Sequence, residues 1–482
     1  MGILAVLSTT GVTLIYYADA NARSASYSGS SAVAYDLAEA GVNEVMAILS
    51  APSNNALAPG ILPTTTHSYG TGTVTWRGTL AQSVTGASTW TVVSTGRTAN
   101  PTGGAAAVTR TIRAKIPVVP TFTQPLNNPA WNYIAARGTG SSCDMNITNS
   151  VVISSPLYVA GNLCLFNQAA ISAGPLLVQG SVTMNQSQNF IGTQGAPLSE
   201  VHVRNGCKWQ NNAVHNPCQQ GLGSQGKDNL WANRIDNQPA GVTFPTPDWD
   251  GWYLNSMPGP YWPCLQTTGI PPMFDTDQGT TPNAARRNNS IGTVQDLTPS
   301  ASYSCLSSGG ALSWNAQSHV LTVKGTVFID GSAKINNGAV NTFAGEGAVY
   351  LSGTLLIKNS KLCAAVTGSG SAQTCTTAGW NPAERNIVFV VNGNGSGVAP
   401  QSQVVAGSGV QLVSAYAQGA LYATNAISID TSSQFDGPLD GSTVSLGQST
   451  TTAWPGFSFV PVGMPGNPAV YAQPEAPQMY GG

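Results

Sequence analysis

Val33-Ala34-Tyr35-Asp36-Leu37-Ala38-Glu39-Ala40-Gly41-Val42-Asn43-Glu44-Val45-Met46-Ala47-Ile48-Leu49 is the stretch on which the reading of this chain turns. Leu37, Ala40, Gly41, Val45, Ile48 and Leu49 fall on one face at the helical period, and Asp36, Glu39, Asn43 and Glu44 take much of the rest. The pattern predicts an amphipathic helix laid along a folded head. Pro52 marks its end, since proline cannot continue a helix and disfavours helical geometry in the residue before it.

Upstream, residues 1–17 carry no charge. That length is at the short limit for crossing a hydrocarbon core of about 30 Å. Ser8, Thr9, Thr10, Gly11 and Thr13 weaken it, although helical hydroxyls can bond back to the i−4 carbonyl. We expect this end to meet a membrane. The first basic residue is Arg23, whereas signal peptides and pilin leaders carry basic charge ahead of their apolar stretch, so a short basic leader is expected upstream of Met1. A plain signal anchor is the simpler alternative. Residues 25–31 are small and polar around Gly29, which predicts a flexible or melted section.

Downstream, residues 73–76, 90–96 and 109–116 read as three strands. In the last, Arg113 and Lys115 alternate with Ile112, Ala114 and Ile116, as in a half-exposed strand. The block Ala34-Tyr35-Asp36-Leu37-Ala38-Glu39-Ala40-Gly41-Val42 resembles the aromatic, Leu-Ala-Glu-Ala-Gly signature of PilX-type minor pilins and related prepilin-like proteins. The resemblance covers residues 1 to about 118. It implies a long N-terminal helix, with Leu37, Ala38, Glu39, Ala40 and Gly41 near its end, ahead of a small antiparallel β-sheet. It also implies pilin-like subunits as partners of that helix.

Composition sets the broad class. Charged residues make up 8% of the chain, against roughly 25% in an ordinary globular protein. With 41% hydrophobic residues the low charge does not mean disorder; it points to β-structure with a neutral polar surface. A net charge of −2 and no basic run speak against a nucleic-acid partner. Eight cysteines lie between Cys143 and Cys375, with no Cys-x-x-Cys pair. An even count at loop-like spacing favours disulfides and an extracytoplasmic location. Sequence order suggests Cys143–Cys164, Cys207–Cys218, Cys264–Cys305 and Cys363–Cys375. His202, Cys207, His215 and Cys218 allow a zinc reading, but their spacing fits no compact finger.

Beyond a linker at 119–130 the texture changes. Residues 157–165 are echoed at 176–184, more weakly at 201–209, and again at 321–329 and 349–357, each with alternating apolar residues around a Gly bend. Short strands joined by Gly-centred corners predict a parallel β-solenoid in two parts, 131–220 and 316–460. In texture this region resembles bactofilin-like β-helices. A β-sandwich is the alternative and needs turn signals at hairpin spacing. Residues 221–315 read as a Pro- and Trp-rich insertion holding Trp231, Trp249, Trp252, Tyr253, Tyr261 and Trp262, and 461–482 as an extended tail. Trp249, Trp252, Tyr253, Tyr261 and Trp262 either stack on a glycan or partner, or form the insertion's own core.

No nucleophile elbow, P-loop or zinc-protease motif is present. Asp248 and Asp250 form one close carboxylate pair. Asp275 and Asp277 form another, faintly like a calcium loop but without its distal Glu. Asp430, Asp436 and Asp440 are the candidates for glycan cleavage, although they read first as turn residues.

The sequence therefore predicts an α+β, mainly β chain: residues 1–50 a helix, 51–118 a small antiparallel β domain, then a disulfide-braced solenoid with an aromatic-rich insertion. The expected role is a surface-exposed, membrane-anchored structural component of a pilus-like or bacterial envelope assembly, with no catalysis and no cofactor. The alternatives are a secreted glycan-binding module and a solenoid polysaccharide lyase or hydrolase.

Overall fold

The computed structural model describes residues 2–51, 54, 56, 60–70, 72–81, 88–120, 123–140, 142–249, 252, 294–306, 310–329, 331–393, 408–430, 432–448, 450–451, 454–467 and 472–480. The chain is α+β and mainly β. It divides into two compact units, Met1–Thr121 with Ala469–Gly482, and Phe122–Pro468.

In the first unit, helix α1 runs unbroken from Gly2 to Ser50. The expected melted section at 25–31 is helical. Its small residues lower propensity, but the helix on either side is already formed, so only propagation through them is required. Asp19 and Arg23 pair one turn apart at 3.0 Å, and Arg110 Nε donates to Ser31 Oγ at 2.8 Å. The second half of α1 packs on an antiparallel meander of β1 (Thr65–Tyr69), β2 (Gly72–Ala81), β3 (Ser88–Thr98) and β4 (Val108–Pro120). Alternate residues of these strands point to the helix: Val74 and Trp76, Trp90 and Val92, then Ile112, Ala114, Ile116 and Val118.

The helical stripe is rotated from the expected one. Ala34, Leu37, Ala38, Val42, Val45 and Leu49 are buried, whereas Ala40 and Ile48 are half-buried. Gly41 lets the helix approach the sheet: a Cβ there would lie 2.2 Å from Ser94 Oγ. Gly96 on β3 does the same from the other side, since its Cβ would lie 2.0 Å from the Ala34 carbonyl oxygen.

The C-terminal segment corrects the reading of a plain tail. Ala472–Pro474 and Gln478–Tyr480 pair antiparallel with β4 and complete the sheet of the first unit. Too short and Pro-rich to show periodicity, they find their place through the free edge of β4. The expected linker is likewise structured in part: Thr123–Pro125 pairs with Phe459–Pro461, and Pro129–Asn132 is a 3₁₀ turn capped by Asn128.

The second unit is a solenoid of parallel rungs. Leu157 pairs with Leu176 and Leu176 with Val201, in the register that the sequence echo implies. Parallel ladders of this kind exclude the sandwich. Leu163 and Leu165, Val182 and Met184, and Ile427 and Ile429 point inward and are buried, and Asn146, Thr183, Ser428 and Ser445 lie between them, half-buried. At one corner Asn149 and Asn167 adopt left-handed φ of 62° and 49° and join side chain to side chain at 3.1 Å; Gln186 extends the ladder at 3.3 Å. Asparagine tolerates that conformation better than other residues with a Cβ, except aspartate.

The rungs do not follow chain order. The N-terminal half winds from Ile134–Ala136 outward to Leu198–Val203, on which Ala232–Asp236 adds a further strand. The chain then crosses over. The C-terminal half begins with the antiparallel strands Tyr303–Leu306 and Gly310–Asn315 against Val320–Ile329. It winds back until Leu439–Gly441, Val444–Gly447 and Thr450–Thr451 stack on the first rung of the N-terminal half. The region 221–315 therefore contributes strands at both of its ends, Ala232–Asp236 and Val294–Asp296 to Gly310–Asn315, and is not a simple insertion.

Candidate functional site

Along the first part of α1 the apolar side chains Ile3, Val6, Leu7, Val12, Leu14, Ile15, Tyr16 and Tyr17 are exposed. Exposure of this extent on one segment marks an interaction surface. Thr10 Oγ1 donates to the Val6 carbonyl and Thr13 Oγ1 to the Thr9 carbonyl, each at 2.8 Å, so these hydroxyls are satisfied inside the helix. Among the described residues no helix is long and apolar enough to cross a membrane.

Further along, the helix is clamped to its sheet. Trp76 Nε1 donates to Glu44 Oε2 at 2.5 Å, Tyr69 Oη donates to Glu44 Oε1, and His67 Nδ1 lies 2.8 Å from Oε2. Burial opposes ionisation of Glu44, but the hydrogen bonds from Tyr69, Trp76 and His67 outweigh it and hold the carboxyl below its usual value. Sequence reading placed Glu44 on the exposed face; only the tertiary register of β1 and β2 brings its three partners together. Glu39 is half-buried in the same stretch.

The aromatic residues of the crossover that are described act as packing. Trp252 is 3% exposed and lies 6.2 Å from the Tyr350 ring. Trp249 stands edge-on to Tyr350 at 5.1 Å and to Phe328 at 6.3 Å. Phe244 meets Tyr158 in the same way at 5.4 Å, and Val242 N donates to Tyr158 Oη. These described residues of the crossover thus pack on Tyr158, Phe328 and Tyr350 of the solenoid wall, and Trp249 and Trp252 spend ring surface on that packing. Tyr253, Tyr261 and Trp262 lie outside the described residues, as do Asp250, Asp275, Asp277 and Cys264.

Cysteines near in sequence are joined: Cys143–Cys164, Cys207–Cys218 and Cys363–Cys375. Cys305 is also disulfide-bonded. The four-residue zinc reading fails because its members part company. Cys207 and Cys218 are bonded to each other, with Asp228 close by. His215 Nδ1 lies 2.8 Å from Asp228 Oδ1, while His202 sits between Asp236 (2.5 Å) and Glu200 (2.7 Å). Burial works to lower the His202 pKa, but its bonds to Asp236 and Glu200 prevail and raise it.

The three acids considered for glycan cleavage lie in different settings. Asp436 is fully buried and accepts from Tyr416 Oη at 2.5 Å and Gln418 Nε2 at 3.1 Å. Asp440, also fully buried, pairs with Arg137 Nε at 2.6 Å. Asp430 is half-buried at the end of its strand, Ala426–Asp430. Asp248 is exposed, and its carbonyl accepts from Trp252 N at 3.2 Å.

No family model and no curated protein matches the chain. Among solved structures it is similar to the competence-associated pilin ComZ from Thermus thermophilus, at 13% identity and a TM-score of 0.41, over 94% of this chain and 98% of that one. It is also similar to the DUF3494 domain of ice-binding protein_1 from Shewanella frigidimarina, at 12% identity and a TM-score of 0.22, over 68% of this chain and 98% of that one. Both scores fall below the level from which a shared fold follows.

Proposed function

We propose that this chain is a structural subunit of a pilus-like assembly on a bacterial surface, joined to its neighbours through the first part of α1. The observation that carries the reading is a single 49-residue helix with two fates. One half is buried by its own sheet through Ala38, Val42, Val45 and Leu49, while the other leaves Leu7, Leu14, Ile15 and Tyr17 exposed. Burying an exposed Leu or Ile gains about 1.5–3 kcal/mol, so several together supply a strong drive to pack against other helices or lipid. The PilX-like block at 34–42 agrees with this division of the helix. On this reading the solenoid is a disulfide-braced body displayed outside the cell, and membrane contact through residues 1–17 precedes assembly. A photo-crosslinking residue at Leu14 in the producing cell tests the proposal. Adducts with other helical subunits support it; adducts with lipid alone reduce the helix to an anchor.

A further inference from the structure

The strand Val340–Leu351 follows two neighbours in turn: residues 340–342 pair with Lys361–Cys363, and 345–351 with Arg385–Val391. Between those neighbours the chain leaves the sheet as a loop pinned by Cys363–Cys375. The bend falls at Gly345, with φ of 81°, where a Cβ would lie 2.4 Å from the Val323 carbonyl oxygen. Glu346 comes next and is in register with Asn386. Register partners in a parallel ladder project from the same face.

Asn386 is 0% exposed, yet among the described residues neither its Oδ1 nor its Nδ2 has a partner, and Glu346 Oε1 is likewise buried without a described partner. Buried polar atoms in native proteins are nearly always satisfied, and exceptions mark a water, an ion or a function. Glu384 lies exposed two residues before Asn386; burial first, then the Glu384 charge, pushes Glu346 up to about 7. The adjacent cation does not relieve it, since Arg385 Nη1 donates to the Ala364 carbonyl at 3.2 Å.

We propose that Glu346, Asn386 and Glu384 form a divalent-cation site of calcium type at this bend. The donors are hard oxygens alone, two carboxylates and an amide, which suits calcium over metals that prefer nitrogen or sulfur. A bound cation would satisfy the orphaned oxygens, offset the carboxylate repulsion and tie the strand Val340–Leu351 to Arg385–Val391.

Terbium(III) is the probe, because Trp380 is 4% exposed and its Nε1 donates to the Arg385 carbonyl at 2.8 Å, placing a sensitiser beside the site. With the full chain, we expect saturable terbium emission displaced by calcium, with calcium affinity of about 10⁻⁴–10⁻³ M, as in extracellular modules. Glu346→Gln, which keeps shape, should weaken binding roughly tenfold, and Asn386→Asp should tighten it by adding a ligand charge. Trp380→Phe should remove the emission while calorimetry still detects calcium. Emission indifferent to Glu346→Gln places the ion elsewhere and overturns the assignment. Absence of any calcium heat up to about 10 mM, ten times the weakest expected affinity, also overturns it and leaves a water or a shared proton between Glu346 and Asn386.

Discussion

Arg137 Nε donates to Asp440 Oδ1 at 2.6 Å across the seam where Leu439–Gly441, from the C-terminal half of the solenoid, pairs with Ile134–Ala136 from its N-terminal half. The guanidinium also donates from Nη2 to the Ala423 carbonyl and lies 4.6 Å from the centre of the Tyr422 ring. Residues some 300 positions apart in sequence are thereby fixed at one place.

Removing the arginine should cost more at high pH than at low pH. Burial, opposed by Arg137, lifts Asp440 to about 7 from its ordinary 3.8. Because the folded-state value is the higher one, this group's contribution is complete below about pH 4 and is lost as pH rises through 7. Arg137→Met leaves an unpaired buried carboxylate, a loss of about 3–5 kcal/mol when it is charged. Unfolding free energies from denaturant titration should fall by that scale at pH 8, and by clearly less at pH 5. Equal losses at both pH values would show that the pair does not govern the seam.

The Glu44 clamp has the opposite sign. Its carboxyl titrates below 4.5 in the fold, so its stabilisation is present above that value and fades as pH falls through the folded-state pKa. Acidification should change Trp76 fluorescence in that window. Glu44→Gln should flatten the response, and an unaltered acid transition in that variant would assign it to another group.

Two glycines of α1 should respond in contrary ways to alanine. Among the described residues a Cβ on Gly29 would meet nothing within 4 Å, so Gly29→Ala should stabilise the helix by up to about 1 kcal/mol. Gly41→Ala places its Cβ against Ser94 and Val74 and should destabilise by about 1–3 kcal/mol. Amide hydrogen exchange along residues 25–50 measures both, and equal effects would mean that helix and sheet do not approach as closely as described.

Trp252 should matter for stability and not for sugar recognition. Trp252→Ala empties a buried position against Tyr350 and should cost about 3–5 kcal/mol. A glycan array whose signal depended on Trp252 in a still-folded chain would restore the binding reading.

The sequence made the local periodicities legible. Residues 157–165 and 176–184 repeat because each rung must bury the same inward positions, and that repetition survives in Leu157 and Leu176. The order of the rungs was hidden. The contacts of Leu439–Gly441 with Ile134–Ala136 leave no echo at short range, and parallel strands pair in any order that register allows. The same limit explains Ala472–Pro474 and Gln478–Tyr480, which are too short to announce a strand. Of the candidate site, the exposed apolar run at the start of α1 was readable, since it needs only hydropathy. The Glu44 clamp was not, because His67, Tyr69 and Trp76 converge on it only after β1 and β2 are laid across the helix.

If the first part of α1 joins this chain to an assembly, charge placed on that surface should break the join. Leu14→Asp with Ile15→Asp should leave the circular dichroism of the body unchanged and reduce the chain recovered with sheared surface filaments by at least about tenfold, roughly the 1.4 kcal/mol that a factor of ten represents. Undiminished recovery of the doubly charged chain in the filament fraction would contradict the account.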